Sequence, residues 1–367
     1  MEFKASKSPY AACKFILENS KLDYVMFQAA GAIKEAVVRE WSLLADDDVK
    51  SLRNYLLQYV TQRPELQGYV REQVLQAVAV IFKRGSLQTT QGADHEQLMS
   101  DVTGLIGTGN PSMQSLGCSI LMALMNEYST TTHSSSIGLS WEFHLTAKRT
   151  FETRDLKRVF QLCVQVLQQL ESMTVAPSRD VVVLINKFLA ITEQVLSWRF
   201  TAYNLPGRFA LVMENSQSCA LMPGPAWRDI LMDPAIVQFF FRIHDKVRSN
   251  PELAHHTLQC LCQLASIRGT VFNNDEMKVA YLKNYLQCYI LLISREDIAE
   301  CEVLGVATAI SRLALFFPVA FFANMPEEIG KHLKVALTKL SCQFCRLAAQ
   351  QQGVSASSLL MILALIL

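Results

Sequence analysis

The sharpest chemical motifs in the chain are two cysteine pairs, Cys342-Gln343-Phe344-Cys345 and Cys260-Leu261-Cys262. A CxxC serves redox chemistry when it opens a helix after a strand, and zinc chemistry when a second ligand pair stands at suitable spacing. Both pairs here fall within helical runs rich in Leu and Ala, which predicts buried structural thiols. Adjacent His255 and His256 would point about 100° apart on a helix, too far to share one ion well, and read as a solvated helix start. His133, in STTTHSSSIG, and His144, in WEFHLTAKR, have no nucleophile, base and orienter near them in sequence. No GxGxxG and no GxxxxGK followed by Ser or Thr occurs; Gly104, Gly107 and Gly109 close a helix instead of following a strand. The basic pairs Lys83-Arg84, Lys148-Arg149 and Lys157-Arg158 read as solvated faces, the default for surface charge. No catalytic, cofactor-binding or metal-binding residue is assigned, and the chain is not expected to be an enzyme.

The elements carrying these residues are helical throughout. From Leu22 to Trp41 the apolar residues Leu22, Val25, Met26, Ala29, Ile33, Val37 and Trp41 recur at spacings of three and four, one stripe of a helix. The same reading predicts helices near 8–19, 22–41, 47–62, 66–84, 94–107, 111–128, 154–172, 180–198, 226–248, 251–268, 275–293, 298–316 and 326–349, with no strand alternation. Pro64, Pro111, Pro251 and Pro326 mark helix starts; Gly85 and Gly269 follow basic last turns and suit a left-handed end; Asp94 and Asp275 suit N-caps.

Taken in pairs, the second helices begin near 22, 66, 111, 180, 251 and 298, and three of the five intervals are 44, 45 and 47 residues. That is the roughly 40–47-residue period of HEAT or armadillo repeats. The two longer intervals predict insertions near 129–153 and 199–225. The expected architecture is all-α: an α-solenoid of HEAT-like repeats in a right-handed superhelix, with about six full helix pairs and partial ends, over residues 1–349. Residues 350–367 form a divergent hydrophobic tail. Its nine apolar residues, Leu359 to Leu367, would span about 14 Å as a helix against a bilayer core of ~30 Å, so a membrane partner is not expected.

Composition agrees. The 367 residues include only 15 Gly and 11 Pro, 50% are hydrophobic, and 34 Lys+Arg against 33 Asp+Glu leave a formal charge of +1. Long elements must therefore fill the chain, and the broad positive field that binds nucleic acid without specificity is missing. Nucleic acid is not expected as a primary partner. Ten cysteines at irregular positions, without a secretory start, point to a reducing intracellular compartment.

SKSPYAACKFILENSKLDYVMFQAAGAIKEAVVREW, QRPELQGYVREQVLQAVAVIFKRGSL, GNPSMQSLGCSILMALMNEYS, IGLSWEFHLTAKRTF and TLQCLCQLASIRGTVF resemble the N-terminal part of exportins, nuclear transport receptors of the importin-β superfamily. The resemblance runs from about Ser6 to about Ala349. It implies a HEAT superhelix that binds Ran-GTP and protein cargo in the nucleus, contacts FG-repeat nucleoporins while crossing the pore, and releases cargo in the cytoplasm after GTP hydrolysis. It further implies shuttling between nucleus and cytoplasm, and no cofactor, since GTP travels with Ran. The chain starts at what resembles the second repeat and stops inside the eighth, so it is expected to be truncated at both ends. In the superfamily the second helices of the early repeats meet Ran; here those are 22–41 and 66–84, whose polar positions Gln28, Glu35, Arg71, Gln76 and Lys83 are the candidate Ran-facing residues. The alternative reading is a HEAT-repeat interaction scaffold without Ran dependence.

Overall fold

The computed structural model describes residues 7–87, 92–129, 140–172, 178–201 and 220–350. Every regular element among them is helical: α1 Tyr10–Asn19, α2 Asp23–Glu40, α3 Asp46–Thr61, α4 Gly68–Gly85, α5 Gly92–Gly107, α6 Pro111–Ser129, α7 Trp141–Phe151, α8 Lys157–Ser172, α9 Arg179–Leu196, α10 Arg228–Leu231, α11 Pro234–Val247, α12 Pro251–Ala265, α13 Asp275–Ile293, α14 Glu300–Phe316, α15 Val319–Ala323 and α16 Glu327–Gln350. The helices stack as the repeats of an all-α solenoid. Two compact units divide within α8, at Leu162 and Cys163, and each is described by itself.

In the first unit α1 packs on α2, α3 on α4 and α5 on α6, while α2, α4 and α6 stack side by side. Small residues permit the close stack: Ala29, Ala30, Ala32 and Ala36 of α2 and Ala77 and Ala79 of α4 are buried with Ile33, Val37, Val74 and Val78. The second unit repeats the arrangement. There α9, α12 and α14 form one row, α11, α13 and α16 the other, and α11 packs on α12. On α13, tyrosines four residues apart tie the rows together: the hydroxyls of Tyr281 and Tyr285 donate to the Leu264 and Leu261 carbonyls of α12, and that of Tyr289 donates to Val306 O of α14, each at 2.9 Å. Leu264 lies in the last turn of α12, and its carbonyl also accepts from Ile267 N at 3.4 Å.

Several boundaries differ from the sequence expectation. The expected insertion 129–153 is half helix: Ser140 Oγ accepts from Phe143 N at 3.2 Å and starts α7. A π-turn over Glu152–Leu156 then joins α7 to α8. The extra length in this interval is therefore largely one more helix; residues 130–139 lie outside the described part. The turn directs Asp155, fully buried, toward α5, where His95 Nε2 donates to Asp155 Oδ2 at 2.8 Å, and Arg154 Nε donates at 3.0 Å. Of the second expected insertion, residues 202–219 lie outside the described part, while Leu221 is buried and its carbonyl accepts from Arg268 N at 3.0 Å.

The helix expected over 226–248 is broken. Asp233 Oδ1 accepts from Ala235 N at 2.9 Å and Pro234 occupies the first helical position, so a new helix begins there. Asn274, not Asp275, caps α13, with Oδ1 accepting from Met277 N at 2.9 Å. Asp94 falls inside the first turn of α5, which starts at Gly92. Gly85 is the last helical residue of α4 and is not left-handed, whereas Gly269, at φ +95°, is. The short helix α15 after Pro318 had no distinct signal.

Candidate partner-binding surface

Residues 28 and 35 stand seven apart on α2, and 69 and 76 seven apart on α4, so each pair shares a helix face. The structure sets these faces side by side. Lys34 Nζ donates to Gln76 Oε1 at 3.0 Å, and the Phe27 and Tyr69 rings meet at 5.8 Å and 58°. Glu35 and Gln76 are exposed and Gln28 is half-buried. Tyr24, one turn before Gln28, is 68% exposed, and Tyr69 is 48% exposed. The result is a ridge of aromatic, amide and charged groups across two adjacent helices, the mixture that anchors protein interfaces.

Two of the five sequence candidates do other work. Arg71 turns back along the chain, its Nη2 donating to the Pro64 carbonyl at 2.6 Å and the Leu66 carbonyl at 3.2 Å, and so fixes the entry to α4. Lys83 is 1% exposed. Its ammonium donates to the Glu127 carbonyl at 2.6 Å and to Glu127 Oε1 at 3.2 Å, placing a cation at the C-terminal end of α6. Burial lowers the Lys83 pKa and Glu127 opposes that shift. Lys148 is buried too, so the solvated-face reading fails for these two lysines; Arg158, exposed and paired with Glu96 at 3.0 Å, fits it.

Tyr24, Phe27 and Tyr69 were not among the candidates. Phe27 carried a readable signal: it is a large apolar residue one position off the α2 stripe, beside Met26, and helical phase puts such a residue at the edge of the buried face.

A second concave surface runs between α11 and α13, a cavity of about 480 Å3 lined by Phe241, Cys288, Leu291 and Leu292 with Gln238 and Arg242 at its edge. Its edge charges are paired: Arg242 Nε donates to Glu171 Oε1 at 2.9 Å, and Arg295 binds Asp245. Gln238 Nε2 donates to Asn284 Oδ1 at 3.1 Å.

The chemical motifs resolve as follows. Cys260 and Cys262 are fully buried; burial raises both thiols, Cys262 to about 11, and Cys262 Sγ donates to Gly305 O at 3.2 Å. They are structural, as expected. Cys342 is exposed on α16, contrary to the buried reading, and the Cys345 side chain lies outside the described part. His255 is solvated, while His256 Nδ1 donates to Glu193 Oε2 of α9 at 2.6 Å. His144 is buried, and His133 lies outside the described residues. Among the described residues no group of three or more His, Cys, Asp or Glu is placed to hold a metal ion. No helix among them is long and apolar enough to cross a membrane.

The Exportin-4 family model covers residues 1–346. The chain belongs to the Exportin-4 family. Exportin-4 of Dictyostelium discoideum is 24% identical over 88% of this chain and 30% of its own length. Exportin-7-A of Xenopus laevis is 25% identical over 75% of the chain and 24% of its own length, and human Ran-binding protein 17 is 25% identical over 78% and 25%. The chain thus spans less than a third of the length of these relatives. Its family membership agrees with the exportin resemblance read from the sequence, and the relatives are importin-β-type transport receptors.

Proposed function

We propose that this chain is the receptor region of a nuclear export protein and that the α2/α4 ridge is where it takes hold of Ran in its GTP form, with protein cargo bound elsewhere along the repeats. The observation that carries the reading is the family match over 1–346, joined to a solvent-facing ridge in which Tyr24, Phe27 and Tyr69 provide anchors beside Gln28, Lys34, Glu35 and Gln76. The chain performs no catalysis in this reading. Helix pairs held mainly by nearest-neighbour contacts can transmit a change of curvature, so a partner that alters it changes the affinity for another partner by the same factor. The α11/α13 groove, apolar at its floor and with paired charges at its edge, suits the uncharged phenylalanine of FG-repeat nucleoporins. The receptor then shuttles between nucleus and cytoplasm.

Binding to Ran loaded with a non-hydrolysable GTP analogue, compared with Ran-GDP, tests the proposal. Preference for the GTP form, reduced about 30-fold by Tyr24→Ala with Tyr69→Ala, is the expected result for anchors worth about 2 kcal/mol together. Equal binding of both nucleotide states would sink it and favour a Ran-independent scaffold.

A further inference from the structure

Arg312 on α14 is half-buried, and its Nη1 is shut off from solvent without a hydrogen-bond acceptor among the described residues. A buried donor left unpaired is costly, and more so on a charged group. No carboxylate among the described residues pairs with it. Those of the surrounding second-row helices are already held: Glu252 Oε1 of α12 accepts from Asn186 Nδ2 at 2.6 Å, Glu193 of α9 meets His256, and Glu302 near the start of α14 meets Arg248. A thiol of α12 lies within reach of the Arg312 charge instead. Burial raises the Cys262 pKa, and Arg312 opposes that rise. A thiol sulfur is a weak acceptor, and that of Cys262 spends its own hydrogen bond on Gly305 O.

The guanidinium interrupts a stripe otherwise free of charge. Leu304, Thr308, Arg312 and Leu315 follow one another at spacings of four, four and three, so they share one helix face about 16 Å long. Leu304 is 61% and Leu315 75% exposed, and Thr308 is half-buried. Val306, Ala309 and Leu313 hold the other side of the helix in the core. An arginine between exposed leucines has the composition of an interface anchor, because apolar contact at each end excludes water from a charge pair formed between them.

We propose that this face of α14 docks a protein partner through an amphipathic helix whose glutamate or aspartate lies between apolar side chains. The partner's carboxylate accepts from Arg312 in the forked geometry of a guanidinium, and its apolar residues cover Leu304 and Leu315. A helix fits because the stripe is straight and follows helical spacing along α14. Helix α14 lies in the second unit and the α2/α4 ridge in the first, so failure of this proposal leaves the Ran reading standing.

Two measurements on the full chain test it. A structural arginine and a docking arginine respond differently to removal from the free protein. Arg312→Met keeps the side chain long and drops the unpaired donor, so the urea midpoint should stay or rise. A fall in the midpoint overturns the proposal. Binding is read by fluorescence anisotropy with a synthetic alanine-based helical peptide that carries one glutamate between leucines a turn or two to either side. The native chain should bind it, and should bind the version with glutamine in place of glutamate about tenfold more weakly. Toward Arg312→Met the two peptides should be alike, and Arg312→Lys should recover only part of the preference, since an ammonium lacks the fork. Equal affinity of the native chain for both peptides overturns the proposal. So does a glutamate preference that survives Arg312→Met, or a failure of either peptide to bind up to its solubility limit.

Discussion

His144 is a buried imidazole that burial itself, with Lys83 and Arg84 adding to the effect, pushes down to about 4 from 6.5. As pH falls below about 6.5 the unfolded chain takes up a proton there that the folded chain refuses until about pH 4. Stability is therefore intact above this window and declines within it. In urea titrations, His144→Gln should shrink the loss of midpoint between pH 7 and pH 5. Glu302 has the other sign of cause and the same direction of consequence. Its burial alone would raise the carboxyl, but hydrogen bonds from His244, Arg248 and the Ala299 N–H together hold it at about 2, from 4.5. Arg248 meets it with two bonds, Nε at 2.8 Å and Nη2 at 2.6 Å. The stability it contributes is full above pH 4.5 and disappears as pH falls toward 2. Glu302→Gln should cost about 3 kcal/mol at pH 7, because one partner of a buried pair is removed, and should flatten the acid limb below pH 4.5. His144 read in the sequence only as an isolated histidine and Glu302 gave no signal there, since each depends on neighbours far along the chain: His144 on α4, Glu302 on α11 and the residue after it. Lys83 misled for the same reason. A polar residue in a helix reads as surface until a carbonyl from another helix, here that of Glu127, is known to meet it.

Elements were legible where periodicity and local chemistry decide them. The 3.6-residue stripe and an N-terminal proline found α12, and the same stripe found α13 to the residue; the row of second helices followed from their spacing. What escaped was whatever a distant contact or a hidden break controls, such as the π-turn before α8 and the fresh start at Asp233-Pro234. The close approach of α12 and α14 belongs to this class. A Cβ built on Gly305 would meet Leu258 Cδ1 at 2.9 Å and Leu258 Cβ at 3.0 Å. The nearer atom can rotate, but Cβ is fixed to the helix, so the helices must separate. Gly305→Ala should destabilise by about 1–3 kcal/mol in chemical denaturation despite the better helix propensity of alanine. Gly330→Ala is the contrasting case, with nothing within 4 Å of its new Cβ, and should be neutral or stabilise by up to about 1 kcal/mol. Equal effects at the two sites would show that helix propensity, not interhelix spacing, sets the cost.

At the scale of the molecule, contacts within each of the two compact units run between successive helix pairs, and that arrangement makes its own prediction about how damage spreads. In a repeat array the stability of each element depends on its own helix and its nearest neighbours, so a local perturbation falls off along the row. Gly305→Ala should therefore raise amide exchange in α12 and α14, weaken protection in α13 through the Tyr289–Val306 bond, and leave α2 and α4 as they were. Exchange followed by mass spectrometry reads all of these regions in one experiment. A uniform rise from α1 to α16 would mean that the chain unfolds as one cooperative body. It would also weaken the functional reading, because a receptor that answers one partner by changing its curvature for another requires helix pairs able to shift against their neighbours without the whole stack giving way.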